Sequence, residues 1–198
     1  GISAAVLGRA AGATVGKLLD QRLLGSGAAP VESGRVDQFR IMGSGEGQSI
    51  ARVFGRIRVR GHVIWSSRFN EHVAQSGGGK GGSAGPKRLD YTYTISLAIA
   101  LCEGEVSRIG RIWADGNLLD TSAITMRLHP GDEAQMPDPA IEAVEGAGLA
   151  PSYRGTAYVV MEDLALERFG NRVPQFSFEV TRPDLAEDEV PALVRGVA

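Results

Sequence analysis

Side chains alternate sharply between residues 50 and 69, IARVFGRIRVRGHVIWSSRF. Odd positions hold Ala51, Val53, Gly55, Ile57, Val59, Gly61, Val63, Trp65, Ser67 and Phe69, nearly all apolar or small. Even positions carry Arg52, Arg56, Arg58, Arg60, His62 and Arg68. A period of two with many β-branched residues predicts a strand with one buried face and one face turned to solvent or a partner. At roughly 3.3 Å per residue it would span about 60 Å, several times an ordinary strand. Gly55 and Gly61 are therefore expected to bend or bulge it. Residues 89–101, LDYTYTISLAIAL, alternate in the same way. Leu89, Tyr91, Tyr93, Ile95, Leu97, Ile99 and Leu101 share one face, and Asp90, Thr92, Thr94, Ser96, Ala98 and Ala100 the other. The two runs predict a long hairpin whose hydroxyl-rich face lies beside the arginine face as a wetted wall.

Shorter signals fill in the rest. A first strand is expected over residues 38–42, after a Gly/Ser/Pro linker at 25–34. Asp115-Gly116 marks a hairpin turn within 111–119. Residues 124–128, 153–161 and 173–181 read as strands, and Asp138 caps a short helix that begins at Pro139 and stops at Gly146. Residues 1–24 lack proline and predict a helix ended by Gly25. Gly8, Gly12 and Gly16 form a small-residue ridge along it, which costs about 1 kcal/mol per glycine relative to alanine. Such a ridge serves where another backbone comes close, in an assembly or transiently in a membrane. No basic region precedes it, so no signal peptide is predicted. The domain division that follows is a helix at 1–25, a β-rich domain at 26–183 with 103–152 as a candidate inserted subdomain, and a linker at 184–198.

Composition changes this picture in two respects. Among 198 residues, 43% hydrophobic and 22% charged, are 27 glycines, about twice the usual share. Many bends are implied. The net charge of −2 conceals an asymmetry: residues 1–100 hold 13 Lys+Arg against 6 Asp+Glu, whereas residues 101–198 hold 8 against 17. Oppositely charged halves either fold on each other or offer complementary surfaces to neighbouring copies in a ring. The apolar last residues, PALVRGVA, lead us to expect a piece of something longer.

Candidate chemistry is sparse. Lone Cys102 excludes an internal disulfide framework and any CxxC site. Lys80, within SGGGKGGSAGP, invites comparison with a phosphate loop, but Ala74 stands at the first glycine's place, Gly81 follows the lysine, and a strand comes next. Gly77, Gly78, Gly79, Lys80 and Gly81 are instead expected to form a mobile loop that orders against a neighbouring subunit. His62, His72 and His129 have no metal-binding spacing. His129 with Asp132 and Glu133 is the nearest polar cluster, although HPGD reads first as a turn. Glu103 and Glu105 only share a face at a strand end, and no nucleophile elbow is visible. No enzyme activity, metal or cofactor is expected. Arg52, Arg56, Arg58 and Arg60 suit phosphates, but the chain is acidic overall and the run lacks interleaved aromatics. A nucleic-acid-binding or membrane-associated β module is the alternative reading.

Several longer motifs point elsewhere. SIARVFGRIRVRGHVIWSS, GRIWADGNLLD, TMRLHPGDEAQMPDPAIEAVEG, YRGTAYVVMEDLAL and FGNRVPQFSFEV resemble the N-terminal part of the large baseplate hub protein of gene transfer agents and related siphophage tails, also called megatron, host-specificity or tail-tip protein. The DQRLLG ending of the first helix fits as well. The resemblance implies a mainly β fold, a tail-tube-like antiparallel barrel or sandwich with a long hairpin, one short internal helix and an N-terminal helix. It implies a structural, non-catalytic role in a virion or virus-like particle. There a homotrimeric ring below the tail tube continues the DNA exit channel and anchors host-recognition parts. The implied partners are other copies of the chain, distal tail and tube proteins, other baseplate proteins, DNA in transit, and a membrane touched by the first helix. A glycoside-hydrolase-like domain belongs only to the family's downstream part. On this reading Arg52, Arg56, Arg58 and Arg60 face the lumen or an inter-subunit contact.

Overall fold

The computed structural model describes residues 31–36, 49–76 and 87–182. The expected helix at 1–24 with Gly8, Gly12 and Gly16, the strand at 38–42, the loop with Gly77, Gly78, Gly79, Lys80 and Gly81, and the linker at 184–198 lie outside the described residues.

The fold is mainly β, as the alternation predicts. Ten strands are described: β1 (Val31–Ser33), β2 (Arg56–Arg60), β3 (His62–Ser66), β4 (Asn70–Ser76), β5 (Arg88–Glu103), β6 (Arg108–Ala114), β7 (Asn117–Leu118), β8 (Thr125–His129), β9 (Thr156–Ala165) and β10 (Phe176–Thr181). One helix, α1 (Pro139–Glu145), lies between β8 and β9. The strands form two open sheets rather than a closed barrel. One has the order β1-β5-β9-β8, with β3 and β4 also paired to β5, and the other has the order β2-β10-β6-β7. Residues 103–152 contribute β6 and β7 to one sheet and β8 to the other.

The chain divides into two compact units, residues 1–35 with 73–91 and residues 36–72 with 92–198. In the first, β1 runs parallel to the start of β5, with Val31 opposite Arg88, and Val31 N–H donates to the Lys87 carbonyl at 2.9 Å. These β1 residues fall in the stretch that composition marks as a linker.

The second unit is layered, and β5 explains why. Ile99 pairs with Val159 of β9 on one face, while Ala98 and Ala100 pair with Val160 and Tyr158 on the other. The Ile99 face meets the second sheet, whose β10 buries Phe176, Phe178 and Val180 and leaves Ser177 half-exposed. The Ala98 face packs under α1, where Ile141, Ala150, Tyr158 and Val160 form a cluster joined by Ile64, Trp65 and Tyr153. The wetted wall expected along 90–100 is thus corrected for its second half. Ala98 and Ala100 are fully buried, Ala98 within the cluster beneath α1 and Ala100 opposite Tyr158 of that cluster.

The run 50–69 is not one strand. β2 belongs to the β10 sheet, whereas β3 pairs with β5, with His62 opposite Ala100. The chain changes sheets at Gly61, one of the two glycines expected to bend it. A Cβ there would lie 2.5 Å from Ile99 Cγ2 and 2.8 Å from Phe178 Cε2, so only glycine lets the backbone cross between the sheets. A bulge between Val63 and Trp65 then swaps faces. Val63 stays opposite Ile99, but Trp65 turns under α1 beside Ala98, not into the inter-sheet core with Val59. The hairpin partner of β5 includes β4, whose sequence NEHVAQS is exposed throughout and gives no alternation signal.

Gly61→Ala should lower unfolding free energy by about 1–3 kcal/mol through overpacking, measured by denaturant titration. An unchanged midpoint would mean that the sheets are free to separate at this crossing.

Candidate functional site

The outer face of the β2-β10-β6-β7 sheet carries the arginines. Residues opposite each other in an antiparallel pair share a face, so the register sorts this surface into rows. Arg56 is opposite Thr181, which is opposite Arg108; Arg58 is opposite Glu179; Arg60 is opposite Ser177, which is opposite Trp113. Each β2 arginine also reaches diagonally along β10. Arg56 Nε donates to Glu179 Oε1 at 2.9 Å, Arg58 Nε to Ser177 Oγ at 2.9 Å, and Arg60 to Gln175 Oε1 at 2.6 Å.

A bulge on β6 completes the arrangement. Ile109 and Ile112 stand three residues apart, a spacing that strict alternation would send to opposite faces. The register shift opposite Phe178 to Val180 places Gly110 and Arg111 together against Glu179, so both isoleucines keep the inward parity. A Cβ at Gly110 would lie 2.5 Å from Glu179 Oε2. Arg111 donates to the same carboxylate from its backbone N–H at 3.2 Å and from Nε at 3.3 Å. Glu179 therefore sits between two guanidiniums, and hydrogen bonds from Arg111 first and Arg56 next hold its carboxyl down at about 2.

Trp113 supplies the aromatic that the arginine run lacks in its own sequence. The Arg58 Cζ lies 4.0 Å from the indole centroid and the Arg111 Cζ 5.4 Å from it. Both are within cation–π range. Beside this stack an open depression of about 510 Å³ is lined by Arg58, Arg60, Asp115, Gln175 and Phe176, among others. The face thus holds five arginines and one tryptophan around the Glu179 carboxylate, with Asp115, itself paired to Arg172, at its margin.

Arg52 is not part of it. Gly55, with φ of 64°, breaks the chain before β2, and Arg52 forms an isolated bridge with Glu103 at the end of β5. The sequence pattern therefore brings Arg56, Arg58 and Arg60 together and leaves Arg52 out. Arg108, Arg111, Trp113 and Glu179 were missed because pairing between distant strands, not local spacing, assembles them.

The second polar cluster centres on Asp138, which is fully buried. It caps α1 by accepting from the Ala140 N–H at 2.8 Å, and takes both Nε and Nη2 of Arg127 at 2.9 and 2.8 Å. His129 Nε2 lies 2.8 Å from Asp138 Oδ2, its ring stacked on Tyr158 at 4.3 Å. Arg127 also donates to Glu162 at 2.6 Å. His129 is thereby tied to Asp138, not to Asp132 or Glu133 as sequence proximity suggests. Burial alone would raise the Asp138 carboxyl, but the bonds from Arg127, His129 and Ala140 outweigh it and hold the group at about 2. The cluster fixes α1 onto β8. Among the described residues no three His, Cys, Asp or Glu side chains are grouped to hold a metal, and no helix is long and apolar enough to cross a membrane.

Two measurements test these assignments. The Asp138 carboxyl is depressed in the fold, so its stabilisation is complete above the unfolded value of about 4 and disappears as pH falls through about 2. By linkage this amounts to roughly 2 kcal/mol. Asp138→Ala should cost about 3–5 kcal/mol at neutral pH, since it leaves Arg127 without its buried partner. A loss under about 1 kcal/mol would reduce Asp138 to an ordinary helix cap. For Glu179, carboxyl NMR should show a midpoint near 2 that moves toward the usual carboxylate range in Arg111→Gln; an unmoved midpoint would remove Arg111 as its main partner.

Comparison with known proteins gives one informative match. No family model matches the chain, and neither does any curated protein. Among solved structures it is similar to a chain of the "Virion of native gene transfer agent (GTA) particle", with 49% sequence identity and a TM-score of 0.59. The match covers 97% of this chain and 41% of the virion chain, so this chain spans well under half the length of that relative.

Proposed function

We propose that this chain is a structural component of a phage-like particle of the gene transfer agent kind. The observation that carries the proposal is the similarity to a virion chain at 49% identity over 97% of these residues. The two-sheet sandwich suits such a role, with its polar clusters spent on internal bonds and its charge displayed on one open sheet face. The finer reading is a baseplate hub or tail-tip subunit. In it, homotrimeric rings below the tail tube continue the DNA exit channel, carry the host-recognition parts, and contact distal tail, tube and other baseplate proteins. Arg56, Arg58 and Arg60 then act at the lumen or at a contact between subunits, and no catalysis is assigned to these residues.

A nucleic-acid-binding module is the second reading. The observation favouring it is the Arg58–Trp113–Arg111 stack, which supplies the aromatic element that single-strand binders use alongside positive charge. Salt-dependent DNA affinity of the isolated chain would favour this reading.

Arg58→Glu with Arg60→Glu removes two positive charges without touching the bonds of Glu179. In a producing strain this pair should sharply reduce the yield of complete particles or their DNA delivery, with the isolated variant still folded by circular dichroism. Wild-type yield and delivery would refute the role of the arginine face.

A further inference from the structure

The arginine face needs a partner, and the opposite side of the same unit has the matching chemistry. From residue 130 to 153 the sequence contains Asp132, Glu133, Asp138, Glu142 and Glu145 and no lysine or arginine. Arg154 follows, exposed, and donates to the Gln135 carbonyl at 3.3 Å, one cation beside this acidic stretch. Asp138 is buried and committed to Arg127, which leaves Glu145 exposed and Glu142 half-exposed on α1, and Glu133 exposed in the loop before it. Three large apolar side chains stand among them: Met136 at 67%, Val144 at 60% and Leu149 at 75% exposure. Exposed apolar groups framed by charge are what a contact surface presents before it is covered.

Layer order decides where that surface points. The β5–β9 sheet has Ile99 and Val159 toward the β10 sheet and Ala98, Tyr158 and Val160 toward α1. The arginines lie on the far side of the β10 sheet. The basic and the acidic-apolar faces are therefore the two outer layers of one unit, separated by both sheets, and cannot meet within one copy.

We infer that copies of this chain associate head to tail, with the Arg56, Arg58, Arg60, Arg108, Arg111 and Trp113 face of one seated on the α1 face of the next. Charge complementarity supports a second copy as occupant. The geometry of Glu179 shows the preferred ligand: the face already binds one carboxylate through two guanidiniums, and the acidic layer offers three more. Such a contact is heterologous, closing into a ring when it carries a rotation and otherwise growing into a filament. Phosphate is the weaker candidate for a conduit, because each neutralised phosphate adds to a salt-dependent hold on the strand, which opposes passage. The inference rests on the ring reading above and names its contact.

Complementation tests it. Variant one is Arg58→Glu with Arg60→Glu. Variant two is Glu133→Lys with Val144→Lys, chosen to spare the bonds of Glu142 to Gly148 and of Glu145 to Trp65. By sedimentation velocity the 198-residue chain should associate as concentration rises and dissociate at about 1 M salt, where the Debye length falls to about 3 Å. Each variant alone should associate about a hundredfold more weakly, as expected for like charges set across an interface. An equimolar mixture should restore association between unlike variants, through the one unaltered pair of faces and through the swapped acidic and basic faces, which attract each other. Circular dichroism and thermal melts check that both variants fold. Wild-type association by both variants would refute this contact while leaving the ring reading intact. A wild-type chain that stays monomeric, or a mixture that forms no dimer, would also overturn it, whereas the ring reading stands or falls on particle yield.

Discussion

The close approach of the Gly61 backbone to the Ile99 and Phe178 side chains is the constraint on which the second unit depends. Without a side chain at that position the peptide passes between Ile99 and Phe178, and one continuous run of sequence serves both sheets. β2, just upstream of the crossing, pairs with β10; β3, just downstream, is laid against β5. The arginines of β2 and the aromatic that packs under α1 therefore come from the same run yet end on different layers. The crossing also leaves β5 with no solvated face over its second half, and small residues, Ala98 and Ala100, occupy the side that α1 and Tyr158 cover.

Local signals were legible where a single element determines its own chemistry. Asp138 before Pro139 is a helix start whichever way the sheets pair, and Asp115-Gly116 forms a tight turn with φ of 49° and 85° because those residues tolerate it. The odd face of β5 and the alternation of FSFEVT in β10 were readable for the same reason. Legibility failed where a partner decides. Alternation of period two says that two faces differ, but not which is covered twice, so the Thr/Ser/Ala side of β5 looked solvated throughout. β4 has no apolar face to betray it. Trp65 changed sides through one inserted residue, which an even-odd count cannot register.

The arginine site shows the same division. Three of its members, Arg56, Arg58 and Arg60, follow from spacing, whereas Arg111 and Glu179 meet across 68 residues through a bulge and Trp113 arrives on a neighbouring strand. Glu179 is the member that gives the face its order. A row of guanidiniums at strand spacing repels itself, and a carboxylate held ionised among them fixes two arginines while the cationic excess remains outside. The result is a patterned surface rather than a diffuse positive cloud. Asp138 has the converse role: there the carboxylate is the buried partner, and the acidic layer outside it keeps its own charges.

Cys102 has a consequence of another kind. It is fully buried at the end of β5, and burial raises its thiol above the ordinary value despite the nearby Arg182. The thiolate, the reactive form, is thereby both scarce and out of reach. With the single sulfhydryl of these 198 residues sequestered in this way, exchange at Cys102 requires that the end of β5 first open. The fold thereby makes the reactivity of this thiol a measure of local opening rather than of the surrounding redox conditions.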